Sequence, residues 1–496
     1  MRRLAIASML AAVALATAPA AHAADVGAND DTGKFAPDGG AAFYERMAAM
    51  GLRQTILTVR WRPSEPDVIQ HQELLDRAVP AAASHGIRVV FAVYPYPPRE
   101  LEAGVARPAG FAAYLTALAE RYPDVRQYVV GNEPNQPAFW RPQLSATGKV
   151  LSAARFGAFL AAGYDALKAV DPGITVVGVG LSPRGNDNPR ARTNRSTSPV
   201  RFLAALGAWY RHSGRRLPLM DGFSYHPYPW TASDAPTRRY AWPNAGFADL
   251  DRVKQALWDA FHGTPQPTTV GGLRLYLDEV GWQVDTLDAQ GYTGLENVAT
   301  TGERRQAAIY GRLVRLAACD PQVAQLNFFG FYDDSARDTG FQSALHRVDG
   351  TPRMAAGSVA VAIAETSAGC TGASVRWRPA RRVSGASLTP WRRLRSGGLK
   401  VLVGAREGAS AVVCMVDRAP AARRVVSSVR SLERRAVAPC WRGRLTPRSR
   451  VQVALTPPAW VTTRVSIVAR IAAEANPARA ALLVVRTGHA APMPRP

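Results

Sequence analysis

The sequence predicts a (β/α)8 TIM-type barrel followed by a smaller β-rich, sandwich-like module, and three observations predict it. Eight short runs rich in Val, Ile, Leu or Phe alternate with amphipathic stretches between residues 24 and 366. Strands this apolar belong to a parallel sheet buried on both faces. Beyond Cys370 the texture changes to short alternating runs broken by Pro and Gly, as antiparallel strands require. A chain of 496 residues accommodates both units, since a barrel occupies about 200 to 400 residues.

Residues 1–23 read as a secretory leader. A basic start (Arg2, Arg3) precedes an apolar run and the small-x-small site Ala21-His22-Ala23, with cleavage after Ala23. No later run is apolar enough to span a bilayer, so the expectation is an exported, periplasmic or cell-wall-associated monomer.

The barrel strands fall at 24–30, 53–61, 87–95, 126–134, 174–182, 221–229, 273–282 and 324–334. Between them lie helical patterns such as Asp67–His85, Phe111–Arg121, Ala153–Val170, Pro199–His212, Ala248–His262 and Gly302–Ala318. "DPGIT" at 171–175 closes one helix and opens the next strand at once. A doubly wound open sheet is excluded because no strand is followed by a glycine-rich phosphate loop; "GVGLSP" at 178–183 lacks the third glycine. The module 367–496 contains "LKVLVGAREGASAVVCMVD" (399–417), "RSRVQVAL" (448–455) and "TTRVSIVAR" (462–470), which read as its strands.

Four cysteines, Cys319, Cys370, Cys414 and Cys440, suit two disulfides in an exported chain. Sequence alone permits three pairings, and four buried thiols are the alternative. Barrel topology favours Cys319–Cys370, at the adjoining ends of the seventh and eighth helices, leaving Cys414–Cys440 within the module.

The net charge of +23 is unevenly placed. From Thr371 onward there are 24 Arg and Lys but only Glu407, Asp417, Glu433 and Glu474 as acids, a balance of +20. Three readings follow for residues 371–496: contact with an anionic cell-wall polymer or acidic polysaccharide, a solvated module rich in arginine through coding bias, or nucleic-acid binding. The first is preferred on charge, and export argues against the last.

In a parallel barrel the C-terminal strand ends converge on one cavity. Here those ends supply Arg60, Tyr94, Asn132 with Glu133, His226 with Tyr228, Glu279 with Trp282, and finally Phe331, Tyr332 and Asp334. Strand alternation admits only one of the neighbours Asp278 and Glu279 to the cavity, and Glu279 is chosen. Two carboxylates meeting among aromatic rings and hydrogen-bonding groups suit cleavage of a glycosidic bond. Trp140, Trp230 and Trp282 are either sugar platforms or loop packing. Metalloprotease, serine-hydrolase and phosphate-loop motifs are absent from the sequence, and neither a metal nor a cofactor is expected.

The ordered motifs "VVGNEPN", "FSYHPYP" and "LDEVGW" resemble the clan A glycoside hydrolases, the cellulase-like enzymes similar to families 5, 39 and 51. The resemblance runs from about Asp25 to Thr366. It implies an O-glycosyl hydrolase that retains anomeric configuration by double displacement on a β-linked carbohydrate. Glu133 matches the general acid/base, Asn132 the amide that binds the sugar 2-hydroxyl, and Glu279 the nucleophile. Tyr228 matches the residue that orients the nucleophile, His226 a substrate-binding partner, and Arg60 the arginine whose charge keeps Glu279 ionised. The clan's strand-eight tryptophan is absent here, with Phe331 or Tyr332 offered instead. The competing expectation is an inert carbohydrate-binding or cell-wall scaffold on the same barrel.

Overall fold

The structure, a computed structural model, describes residues 24–286, 290–380, 383–393, 399–416, 429–456, 465–474 and 479–486. The leader 1–23 and the flanks of the runs 399–417 and 462–470 lie outside the described residues.

Eight parallel strands close into a barrel in sequence order. They are β1 (Asp25–Asn29), β2 (Gln54–Trp61), β3 (Arg88–Pro95), β4 (Gln127–Val130), β5 (Thr175–Leu181), β6 (Gly222–Tyr225), β7 (Arg274–Val280) and β8 (Val323–Phe329). All eight overlap the apolar runs, but three end early. β4 stops at Val130, β6 at Tyr225 and β8 at Phe329, so several polar and aromatic residues assigned to strands stand on loops instead. β4 does not run on to Pro134. Gly131, at φ 112°, has already turned the chain, and a Cβ there would meet the Phe156 ring and Val179 O at 2.7 to 2.8 Å.

Residues facing outward from the strands pack against the helices in one large core. The barrel's own interior is a small apolar cluster of Ile56, Val90, Ala92, Val129 and Val177, with Tyr276 against it. Nearer the strand starts the interior is polar. Gln54 donates to Asn327 Oδ1 at 2.9 Å, and Gln127 and Gln325 exchange amide hydrogen bonds at 2.9 and 3.0 Å across the barrel. Pairing satisfies the three glutamine amides, whose burial would otherwise cost about 1–3 kcal/mol per orphaned group, while Asn327 Nδ2 is left without a partner among the described residues.

The C-terminal module comprises β9 (Ser387–Arg393), β10 (Leu399–Gly404), β11 (Ala409–Val416), β12 (Trp441–Leu445), β13 (Arg450–Leu455), β14 (Ser466–Ala473) and β15 (Ala480–Arg486). These form a three-stranded sheet, β13-β10-β9, and a four-stranded sheet, β12-β11-β14-β15, with antiparallel pairing throughout. Val401, Val403 and Val453 of one sheet share a core with Ala411, Val413, Ile467 and Ile471 of the other, which is a sandwich. Cys319 follows the helix Glu303–Ala318 and bonds to Cys370, just past the helix Met354–Thr366, while Cys414 of β11 bonds to Cys440. Among the described residues no helix is long and apolar enough to cross a membrane.

Closure of the barrel depends on close backbone approach at Gly27, which pairs with Gln54 of β2 and Asn327 of β8. A Cβ there would lie 2.3 Å from the backbone oxygen of Gln54 and 2.5 Å from Asn327 Oδ1. Gly27→Ala is expected to destabilise the fold by about 1–3 kcal/mol, the usual range for overpacking. Denaturant melts read by tryptophan fluorescence will check this, and an unchanged midpoint refutes it.

Candidate active site

Glu133 reaches the cavity from a strained turn. Its φ is 39°, a left-handed conformation that side-chain-bearing residues rarely adopt. The Glu133 N–H donates to Gly180 O at 2.6 Å, and the Gly131 N–H donates to Val93 O at 2.9 Å. Gly180, at φ 67°, leaves no room for a Cβ, which would meet Gly131 O at 2.9 Å. Two glycines packed backbone to backbone thus hold the turn, and strain of this kind collects at functional sites.

Glu279 arrives by a different irregularity. Tyr276 and Asp278 follow the inward parity of β7, but the register with β8 slips between Leu277 and Val280. The extra residue flips the alternation and turns Glu279 towards the cavity above the buried Asp278. The rule that only one of the two acids can face inward therefore fails. Asp278 is buried beneath the site, and burial pushes its carboxyl up to about 7 against the opposing Ser224 hydroxyl and His226 charge.

One atom each of Glu133, His226 and Glu279 lie within 4.8 Å of one another. His226 Nδ1 stands 3.2 Å from Glu133 Oε1 and 3.4 Å from Glu279 Oε2. Tyr228 donates to Glu279 Oε2 at 3.0 Å, and Asn29 donates to Glu279 Oε1 at 3.3 Å. Burial acts to lower the His226 pKa, but the Glu279 charge, the Glu133 hydrogen bond and charge, and Asp278 together raise it to about 9. The imidazole is accordingly a cation between two acids. Glu279 itself is raised above the ordinary glutamate value, by burial first and by Glu133, against the His226 charge and the Tyr228 hydrogen bond.

The other expected residues are placed unevenly. Asn132 sits half-buried beside Glu133. Arg60 donates to Tyr94 OH at 3.2 Å and lies over the Tyr96 ring; the groups holding Glu279 are Asn29, Tyr228 and His226. Trp282 offers no surface to a ligand, being buried with its indole N–H donating to Asp234 O at 2.8 Å. Phe331 is fully buried against Phe43 and His346, and Tyr332 packs on Phe43 and accepts from Arg46. Their displacement follows from the early end of β8. The rings beside Tyr228 are instead Phe329, the last residue of β8, and Phe341, which is half exposed. Trp140 packs on Phe156 and Phe159, whereas Trp230 is half exposed at the end of the post-β6 loop motif. Asn29 was legible only as the polar end of the first apolar run.

No protein-family model matches this chain, and no curated protein does. Solved structures similar to it include a family 39 glycoside hydrolase from Bacteroides cellulosilyticus WH2, at 16% identity and TM-score 0.49, covering 81% of this chain and 74% of that one. Another is a monomeric beta-xylosidase from Caulobacter crescentus CB15, at 14% identity and TM-score 0.46, covering 88% and 93%. A third is a glucosidase from Croceicoccus marinus, at 12% identity and TM-score 0.45, covering 88% and 93%. Likenesses of this size assign no role to any residue.

The charge shared by the trio predicts a titration. Glu279→Gln and Glu133→Gln should each lower the His226 pKa from about 9, because both acids raise it. Nitrogen-resolved NMR of the histidine will measure both; an unmoved value in Glu279→Gln refutes the shared charge.

Proposed function

We propose that this protein is an exported glycoside hydrolase of the clan A type that cleaves a β-linked oligo- or polysaccharide with retention of configuration. The observation that carries the reading is the pair Glu133 and Glu279, with one oxygen of each within 4.8 Å at the C-terminal mouth of the barrel. Retaining enzymes hold their carboxyl groups about 5–5.5 Å apart, and inverting enzymes about 6.5–9.5 Å to admit a water.

The roles follow from the partners. Glu279 accepts hydrogen bonds from Tyr228 and Asn29 and faces the His226 cation, all of which favour its ionised form. As nucleophile it attacks the anomeric carbon while Glu133, as acid, gives its proton to the departing glycosidic oxygen. Glu133 then takes a proton from water, whose oxygen displaces Glu279 from the sugar. Asn132, beside Glu133, is placed to bind the neighbouring hydroxyl. Tyr228, Phe329 and Phe341 offer ring faces to the sugar's apolar side. The leader motif and two disulfides support export.

A metal-centred hydrolysis is the second reading, because two carboxylates and an imidazole within 4.8 Å also make a ligand set. Ligation needs a neutral imidazole, whereas His226 between its acids is held charged, with a pKa of about 9. Chelator dialysis separates the two: activity on aryl β-glycosides is expected to survive it, and loss restored by a divalent cation would favour the metal.

Glu133→Gln should reduce turnover by at least about a hundredfold, the lower bound for losing acid–base assistance, and Glu279→Gln, which removes the nucleophile, by no less. Product anomers read by proton NMR should keep the substrate's configuration. If wild type and both variants are equally inert on aryl and polymeric β-glycosides, the barrel is an inert scaffold.

The pH dependence has a defined sign. Glu279 must ionise to act and its pKa is raised, so the acid limb of kcat/KM should lie above the ordinary glutamate value of 4.5. Removing the His226 cation in His226→Gln takes away an influence that lowers the Glu279 pKa, and the limb should move to higher pH. A limb that stays in place assigns it to another group.

A further inference from the structure

The barrel and the sandwich enclose a cleft of about 340 Å³, within the range of small-ligand sites. Its base is ionic and buried. Arg479 of the sandwich donates to Asp259 of the helix Leu250–Phe261 and to Glu407, each at 2.7 Å. Its barrel wall is equally fixed: Arg239 bonds Asp249 and Asp251, and Arg252 bonds Asp249. The connecting segment is pinned above them, because Gln255 and Ala380 exchange hydrogen bonds at 2.8 and 3.2 Å.

Every acid of the cleft is thus committed to Arg239, Arg252 or Arg479. Two further guanidinium groups line it, Arg378 and Arg406, both exposed and, among the described residues, without a carboxylate partner. Two half-buried indoles, Trp242 and Trp377, line the same space. Indole faces stack on sugar rings, and guanidinium groups pair with carboxylates in a planar, bidentate fashion. Neither feature is used by the Glu133–Glu279 chemistry.

We propose that this cleft is a second carbohydrate site, selective for an acidic saccharide whose carboxylates pair with Arg378 and Arg406 while a ring stacks on Trp377 or Trp242. The proposal rests on the glycosidase reading for its substrate class but not for its geometry. The cleft also touches the loop that carries the first site. Tyr240, next to Arg239, donates through its hydroxyl to Tyr228 O at 2.9 Å and through its N–H to Asp249 at 2.8 Å. An acidic polymer held here is therefore tethered beside the loop that orients Glu279.

The test uses the full chain carrying Glu279→Gln, so that no probe is consumed. Calorimetric titration with a tetragalacturonate is expected to show binding that weakens at raised salt. Neutral cellotetraose of the same length should bind more weakly. Adding Arg378→Ala and Arg406→Ala together should reduce tetragalacturonate affinity by at least roughly tenfold, the size of losing charge-assisted hydrogen bonds. The same pair in the otherwise wild-type chain should leave turnover of small aryl glycosides unchanged. Equal affinity with and without the two arginines, or equal affinity for both tetramers, overturns the proposal. Arginine-dependent binding in a chain that turns over no glycoside would sustain the cleft and defeat the glycosidase reading instead.

Discussion

The site depends on one electrostatic arrangement, an imidazolium held between two carboxylates. Two like charges within 4.8 Å of one another repel by at least about 3 kcal/mol at an effective dielectric of about 20. At His226's separations of 3.2 and 3.4 Å the attraction is roughly 5 kcal/mol to each acid on the same scale. The two attractions together exceed the repulsion, so the imidazolium lets the acids stand this close. The fold serves that arrangement: β6 ends one residue before His226, and hydrogen bonds from β1 and the post-β6 loop fix the far side of Glu279.

Both carboxylates enter through departures from regular strand geometry rather than through its continuation. Glu133 stands on a left-handed turn that two glycines make possible, and Glu279 is presented by a register slip in β7. β5 carries a comparable slip against β6 between Gly178 and Leu181, at the level where Gly180 O receives the Glu133 N–H. Extra residues in strands re-aim side chains and cluster near active sites. A regular β7 would have sent Glu279 into the helical layer and left the buried Asp278 as the inward acid.

This explains which parts of the molecule could be read from sequence. Long apolar runs between Pro and Gly located all eight barrel strands, because burial on both faces leaves little freedom in composition. The acids and His226 were legible because polar residues at the end of such runs have few structural uses. Phe331, Tyr332 and Trp282 would reach the rim only if strands lasted as long as their hydrophobicity does. β8 instead ends at Phe329, and the later rings turn into the packing between helix and barrel. The paired amides at the strand starts were hidden for the opposite reason: Gln54, Gln127 and Gln325 look like loop residues until a partner across the barrel is known.

The scarcity of acids in the arginine-rich module also has a structural logic. Of its four acids, Glu407 pairs with Arg479 in the base of the cleft, and Glu474 pairs with Arg201 of the barrel at 3.3 Å. The barrel returns Asp259 to Arg479 from the other side. A preference for arginine over lysine would not by itself select the domain boundary as a place to keep carboxylates. Burying Arg479 unpaired would cost several kcal/mol, and the same holds for Asp259, so Glu407 is an acid that the contact between the two domains demands. Glu433, away from that contact, pairs with Arg442 of the same module. Arg378 and Arg406 are exposed and, among the described residues, have no carboxylate partner.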